Sequence, residues 1–181
     1  MKTTYICSEI TEKLNEGDLK KSPLFINMDR KLVEKLVSEA LELNESLFLV
    51  KMDISDQDKI LVEVDGDEGV SLEEIIRISR HVEHNLDREE SDFSLEVTTP
   101  DIARPLTVVR QYRKNIGRTL EVKVEDDKFE GELVFADDHE IELRWKAREP
   151  KPIGKGKHTV EKVKRIRIED VIQAKVKIKF N

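Results

Sequence analysis

Apolar residues recur with helical spacing in two segments of the first half of the chain. In the first segment they are Leu32, Val33, Leu36, Val37, Ala40 and Leu41. Asp29 precedes this run and belongs to a residue type that caps helices, so the pattern predicts a helix from about Asp29 to Leu43. A second helix is predicted to begin at Ser71, which forms a capping-box sequence with Glu74, and to end near Asp87.

Alternating apolar and polar residues predict three strands around the second helix. The first covers Leu47–Ile54, with Leu47 and Leu49 facing the core, and the second covers Ile60–Val64. Residues 93–97 give the third. The resulting order, α-β-β-α-β, predicts a small mixed sheet with both helices on one face.

The second half of the chain shows short strand patterns without a long helix. Apolar residues alternate with polar ones at 120–124, 133–135, 141–145, 163–168 and 174–180. Lys146 to His158, which contains two prolines and two glycines, is predicted to be a long polar loop. About five short strands indicate a small closed or half-open barrel.

A boundary is predicted where the charge changes sign, next to the stiff connector formed by Pro100 and Pro105. Residues 1–103 have a net charge of −13 and residues 104–181 a net charge of +6, within a total of −7. We therefore predict an N-terminal extension over 1–27 with poor order, an acidic α+β domain over 28–103 and a basic β-domain over 104–181.

Several classes of protein and site are excluded by the sequence. No apolar run is long enough for a transmembrane helix, and the N-terminus has no secretory signal pattern. The single cysteine, Cys7, excludes an intramolecular disulfide and a cysteine-based zinc site. Phosphate-binding loops and nucleophile-elbow motifs are absent. We expect a cytoplasmic, soluble protein without a membrane partner.

Acidic and histidine side chains are the candidates for metal chemistry. Asp65, Asp67 and Glu68 lie in one turn, but the following positions do not fit a calcium loop, so a solvated acidic turn is predicted. His81 and His84 share a helix face without further zinc ligands nearby. A hydrolase that uses these groups remains a rival hypothesis. It requires added metal to raise the melting temperature and to give turnover.

A basic segment is the strongest candidate for binding. Its cations are Lys151, Lys155, Lys157, Lys162, Lys164, Arg165 and Arg167, with Glu161 as the one acidic residue among them. Such a segment can follow an RNA backbone, and this binding weakens with salt. Few aromatic residues lie nearby, so sequence-specific binding of single strands is not expected. Lys175, Lys177 and Lys179 on the last strand are interpreted as protection of a sheet edge.

Two stretches resemble the RimP ribosome maturation factors. One contains Gly-Val-Ser-Leu-Glu-Glu at 69–74, and the other contains Phe-Ser-Leu-Glu-Val-Thr-Thr-Pro at 93–100, followed by Arg-Pro-Leu at 104–106. Gly117 after a basic helical turn also fits. The resemblance covers roughly residues 28–181. Asp101 departs from it, because the family usually has a glycine there, in a turn that prefers a positive φ.

The resemblance implies an α+β protein with an N-terminal α-β-β-α-β sandwich domain and a C-terminal SH3-like small β-barrel. It implies binding to the free small (30S) ribosomal subunit during late assembly, through 16S rRNA and ribosomal proteins. No enzymatic reaction, cofactor or small-molecule substrate is implied, and a monomer is expected. The residues expected at the domain junction, either to orient the domains or to line a binding groove, are Thr98, Thr99, Pro100, Arg104 and Pro105.

A protein–protein adaptor is the alternative function. In that hypothesis the small barrel binds a peptide, as SH3-like barrels do. Peptide binding would change little with salt, whereas phosphate binding would be lost steeply.

Overall fold

The computed structural model describes residues 29–55, 57–87, 92–151 and 155–178. The predicted N-terminal extension and Cys7 lie outside these residues. The helices and strands are α1 Arg30–Glu42, β1 Leu47–Ile54, β2 Lys59–Gly66, α2 Leu72–Asn85, β3 Ser94–Thr98, α3 Val109–Lys114, β4 Thr119–Lys123, β5 Lys128–Ala136, β6 Glu140–Pro150, β7 Lys157–Arg167 and β8 Gln173–Val176. In the described ranges, none of the helices is long and apolar enough to cross a membrane.

The first hydrophobic core lies between α1, α2 and a three-stranded sheet of order β1-β2-β3. β1 runs antiparallel to β2, and β3 runs parallel to β2, as a crossover through α2 permits. Val33 and Val37 of α1 and Val62 of β2 are fully buried in this core. The predicted α-β-β-α-β order is confirmed.

The predicted helix caps form with one difference. Asp29 accepts a hydrogen bond from the Lys31 amide, and Ser71 Oγ accepts one from the Glu74 amide at 3.2 Å. The Glu74 carboxylate does not complete a capping box, because it binds the Arg77 guanidinium. Each helix start is therefore stabilised by one side-chain acceptor.

Leu49 lies on the predicted face of β1, opposite the core residue Val64, but its side chain is 36% exposed. The register between β1 and β2 shifts between Leu49 and Lys51. The adjacent Leu47 and Phe48 are both buried because they lie on opposite faces, with Leu47 in the first core and Phe48 opposite Asp65 beneath the Arg110 guanidinium. The bulge at this register shift changes which positions face the core only after Leu49, so that Met52 and Ile54 pair with the core residues Val62 and Ile60.

The second core is covered by a five-stranded antiparallel sheet of order β7-β6-β5-β4-β8. A side chain at Gly131 of β5 would lie 2.9 Å from the Arg144 carbonyl oxygen of β6, so the two backbones approach closely there. The SH3-like barrel is not confirmed. β7 and β8 each pair with one neighbour, and the sheet is open between them.

The predicted loop from Lys146 to His158 is wrong over most of its length. β6 continues to Pro150 and β7 begins at Lys157, with pairing maintained from Arg144–Val163 to Pro150–Lys157. Pro150 stands at the last position of its strand, where a missing amide N–H is tolerated. β5 stops pairing with β6 at Arg144, so 145–150 and 157–162 form a two-stranded ribbon, here called the arm.

Candidate functional site at the junction and the arm

An acidic row follows the outer face of β2. Glu63 and Asp65 alternate with the core residues Val62 and Val64, so their side chains point away from the first core. Both are buried nevertheless, with 6% and 8% exposure. The predicted solvated acidic turn is therefore wrong at Asp65. The burial of Asp65 was not evident from the charge pattern, because Lys114, which pairs with it, is 49 positions away along the chain.

Helix α3 supplies the cations that meet this row. Lys114 Nζ lies 2.5 Å from Asp65 Oδ1, and Arg110 donates to both carboxylate oxygens of Asp67 at 2.9 and 2.6 Å. Arg110 and Lys114 are four residues apart and share a helix face, so they can meet acidic residues spaced two apart on a strand. The hydrogen bonds from Arg110 lower the pKa of Asp67 and raise that of Arg110.

The predicted junction residues surround a cleft between the two cores. Arg104 Nη1 lies 2.7 Å from Glu63 Oε1, and Thr98 is the partner of Glu63 in the β2–β3 pairing. Thr99, Pro100 and Pro105 line a cavity of about 260 Å³, together with Arg104, Lys114 and Arg118. The structure thus places both a bridging contact and a groove here, and the role of these residues stays a prediction.

Asp101 closes its turn without the positive φ that the family's glycine suggested. Its carboxylate accepts a hydrogen bond from the Ala103 amide at 2.8 Å, and its carbonyl accepts one from the Arg104 amide at 2.9 Å. Among the described residues other than glycine, a positive φ is found at Asp58. The aspartate side chain therefore stabilises this turn as an Asx turn. Gly117, after α3, does adopt a left-handed conformation, with a φ of 87°.

The candidate metal ligands do not come together. His81 Nε2 lies 3.6 Å from Glu39 Oε2 and is buried without a hydrogen-bond partner. Over the described ranges, no three histidine, cysteine, aspartate or glutamate side chains are arranged to hold a metal ion. Asp65 and Asp67 instead bind cations of α3. The hydrolase hypothesis therefore has no assembled site in this part of the chain.

The predicted basic segment divides into paired and unpaired cations. Lys162 pairs with Glu149 at 2.5 Å, and the carboxylate pKa is lowered by this contact. Arg165 binds Glu142 and Glu140. Arg167 likewise binds two neighbouring carboxylates. These three side chains are therefore largely neutralised within the chain.

Of the remaining predicted cations, three lie at or near the tip of the arm, and Lys164 lies beyond its base. Lys151, Lys155 and Lys157 are exposed and have no ion pair with any described residue. Lys164 lies on the core-facing side of β7, with its Nζ 5.5 Å from the centre of the Phe129 ring. Binding of RNA by this segment stays a prediction.

Sequence analysis missed a second row of cations. Arg144, Lys146 and Arg148 occupy alternate positions of β6 and are exposed. The sequence does contain a signal for this row: the cations alternate with Trp145 and Ala147, which is the pattern of a half-buried strand. Because residues 146–158 were predicted to be a loop, the face that these three cations share was not recognised.

The chain is similar to known ribosome maturation factors over most of its length. A family model described as the RimP N-terminal domain matches residues 32–103. The Ribosome maturation factor RimP of Christiangramia forsetii is 56% identical over 153 residues, which cover 84% of this chain and 100% of that protein. The protein of the same name from Flavobacterium psychrophilum is 46% identical over 143 residues, or 77% of this chain and 93% of that protein. The chain belongs to the RimP family of ribosome maturation factors.

Proposed function

We propose that this chain is a cytoplasmic ribosome maturation factor that binds the free small (30S) ribosomal subunit and assists its late assembly. It acts through contacts with 16S rRNA and ribosomal proteins, as a monomer and without catalysis. The observation that carries this proposal is the match to proteins named ribosome maturation factor over the whole length of one of them. The five-stranded sheet is proposed to serve as the family's SH3-like module.

The exposed arm supports a contact with RNA. Lys151, Lys155 and Lys157 present positive charge at its tip without an acidic partner among the described residues. Cations of this kind release condensed counterions when they meet phosphates, which favours binding at low salt. The other predicted cations, Lys162, Lys164, Arg165 and Arg167, lie further from the tip along β7 and stay candidates for the same contact.

The test is co-sedimentation with purified small subunits, large subunits and joined ribosomes at low and moderate salt. We expect binding to free small subunits alone. The triple variant Lys151→Glu, Lys155→Glu, Lys157→Glu should weaken that binding at least about tenfold, because reversed charges repel phosphates.

A matched control makes the same change of charge on the acidic half. Lys31→Glu, Lys35→Glu, Lys59→Glu alters three exposed lysines there and should bind as the wild type does. Failure of the wild type to bind any particle would favour the adaptor hypothesis, since β7 also offers an open strand edge to a peptide.

A further inference from the structure

The arm has two different faces. Directly opposed residues of an antiparallel pair share a face, so the register assigns each side chain. One face continues from the second core and carries the half-buried residues Trp145, Ala147, His158 and Val160. The opposite face, here called the outward face, is exposed. Within the arm it carries Lys146, Arg148, Pro150, Lys157, Thr159 and Glu161, and at the base of the arm it continues to Arg144 and Val163.

On the outward side of the β6–β7 hairpin, the positive charge that has no acidic partner among the described residues increases towards the tip. Near the base, Arg165 is neutralised by Glu140 and Glu142. At the base of the arm, Arg144 pairs with Glu161 over a longer distance of 3.5 Å. Lys146, Arg148 and Lys157 have no carboxylate partner among the described residues. The distal part of the ribbon is therefore the uncompensated part.

We propose that the outward face binds the phosphate backbone of double-helical RNA, an inference that rests on the proposed function. Successive residues on one face of a strand are roughly 7 Å apart, so the row from Arg144 to Arg148 extends roughly 14 Å. That length allows contacts with successive phosphates. The Thr159 hydroxyl stands opposite Arg148 and can donate to a phosphate or a ribose 2′-hydroxyl.

The absence of aromatic residues from this face favours a duplex over a single strand. Trp145 faces the other way, and its ring lies 6.0 Å from that of Phe129 against the second core. Proteins that bind single strands stack bases on exposed aromatic rings, whereas double-stranded RNA is recognised through its shape, phosphates and 2′-hydroxyls. Among its described residues, the outward face has cations and a hydroxyl that can contact phosphates and 2′-hydroxyls, but no aromatic ring on which a base could stack.

The experiment measures the affinity of the full chain for an RNA duplex and for either strand alone over a series of salt concentrations. The variant Lys146→Gln, Arg148→Gln, Lys157→Gln should reduce the magnitude of the slope of log K against log salt by about 2 to 3, since each phosphate contact contributes about 0.7–0.9. The control Lys123→Gln, Lys175→Gln, Lys177→Gln removes the same charge from β4, β8 and the residue that follows it. It should leave the slope close to that of the wild type.

This inference would be overturned by an equal loss of slope in both variants, by an unchanged slope in the outward-face variant, or by single strands bound as tightly as the duplex. A second unrelated duplex should bind with similar affinity, and a strong preference for one sequence would also contradict backbone recognition. Co-sedimentation of the wild type with small subunits is scored separately. If it succeeds while the outward-face variant keeps its salt dependence, this inference fails and the proposed function stands.

Discussion

The Arg110 guanidinium contacts several groups of the acidic half at the junction. It donates to both oxygens of Asp67 and to the Glu45 carbonyl, and its guanidinium lies 4.9 Å from the centre of the Phe48 ring. A lysine cannot reproduce this arrangement, because an ammonium lacks the planar fork that binds a carboxylate with two parallel hydrogen bonds. One residue of α3 thus contacts three separate positions of the acidic half.

The Asp67–Arg110 contact predicts a specific dependence of stability on pH. The pKa of Asp67 is lowered below its ordinary value of 3.8, mainly by hydrogen bonds from Arg110, so the ionised carboxylate stabilises the folded state. This contribution is complete above pH 3.8 and is lost as the pH falls through the lowered pKa. The gap in free energy of unfolding between wild type and Asp67→Asn should therefore narrow below pH 3.8, as measured by urea denaturation.

The neighbouring Glu68→Gln provides the control, since Glu68 is exposed and has no ion pair with a described residue. Its free energy of unfolding should match that of the wild type at neutral pH. A gap for Asp67→Asn that stays constant through the acid range would contradict the assignment.

At the scale of helices and strands, local patterns predicted most elements, and non-local packing explains the failures. The spacing of Val33 and Val37 identifies α1, because a helix buries every third or fourth residue. The partial exposure of Leu49 was not predicted because β1 lies at the edge of its sheet, and the order of strands is not evident from local alternation. The arm was missed because its prolines and charges resemble a loop, and its pairing becomes evident only from both strands together.

Gly131 is predicted to be essential for the packing of β5 on β6. A methyl group there would lie 2.9 Å from the Arg144 carbonyl oxygen, and a backbone atom cannot move aside as the end of a side chain can. Gly131→Ala should therefore destabilise the chain by about 1–3 kcal/mol in chemical denaturation. Glu132→Ala, at the next and exposed position, should cost less than about 0.5 kcal/mol. Equal stability of the two variants would show that the strands can separate there without cost.

Over the whole molecule, two cores are joined by three ion pairs between distant parts of the chain: Glu63–Arg104, Asp65–Lys114 and Asp67–Arg110. The opposite net charges of the two halves were evident from composition, but their contact was not. Partners 41 to 49 positions apart leave no local periodicity from which to predict them. Arg104 was expected at the junction from the sequence, but its partner Glu63 and the other two pairs became evident only from the structure.

Loss of one buried partner should destabilise the junction far more than loss of an exposed one. Lys114 and Asp65 have side-chain exposures of 20% and 11%, so Lys114→Met leaves a poorly solvated carboxylate and should cost about 2 kcal/mol. On the same helix, Arg113 pairs with Asp138, with exposures of 47% and 70%. Arg113→Met should cost about 0.5 kcal/mol or less. Equal effects of the two substitutions on urea unfolding would argue against a buried contact.

The two cores can be followed by different optical signals, because the chain has a single tryptophan and it lies in one of them. Trp145 packs against the second core, so its fluorescence reports on that core alone. The two longest helices of the described chain, α1 and α2, belong to the first core and dominate far-ultraviolet circular dichroism. Coincident transitions in the two signals would identify the molecule as a single cooperative unit coupled through the junction. Separate transitions in a junction variant would measure, in one titration, how strongly the two halves depend on each other.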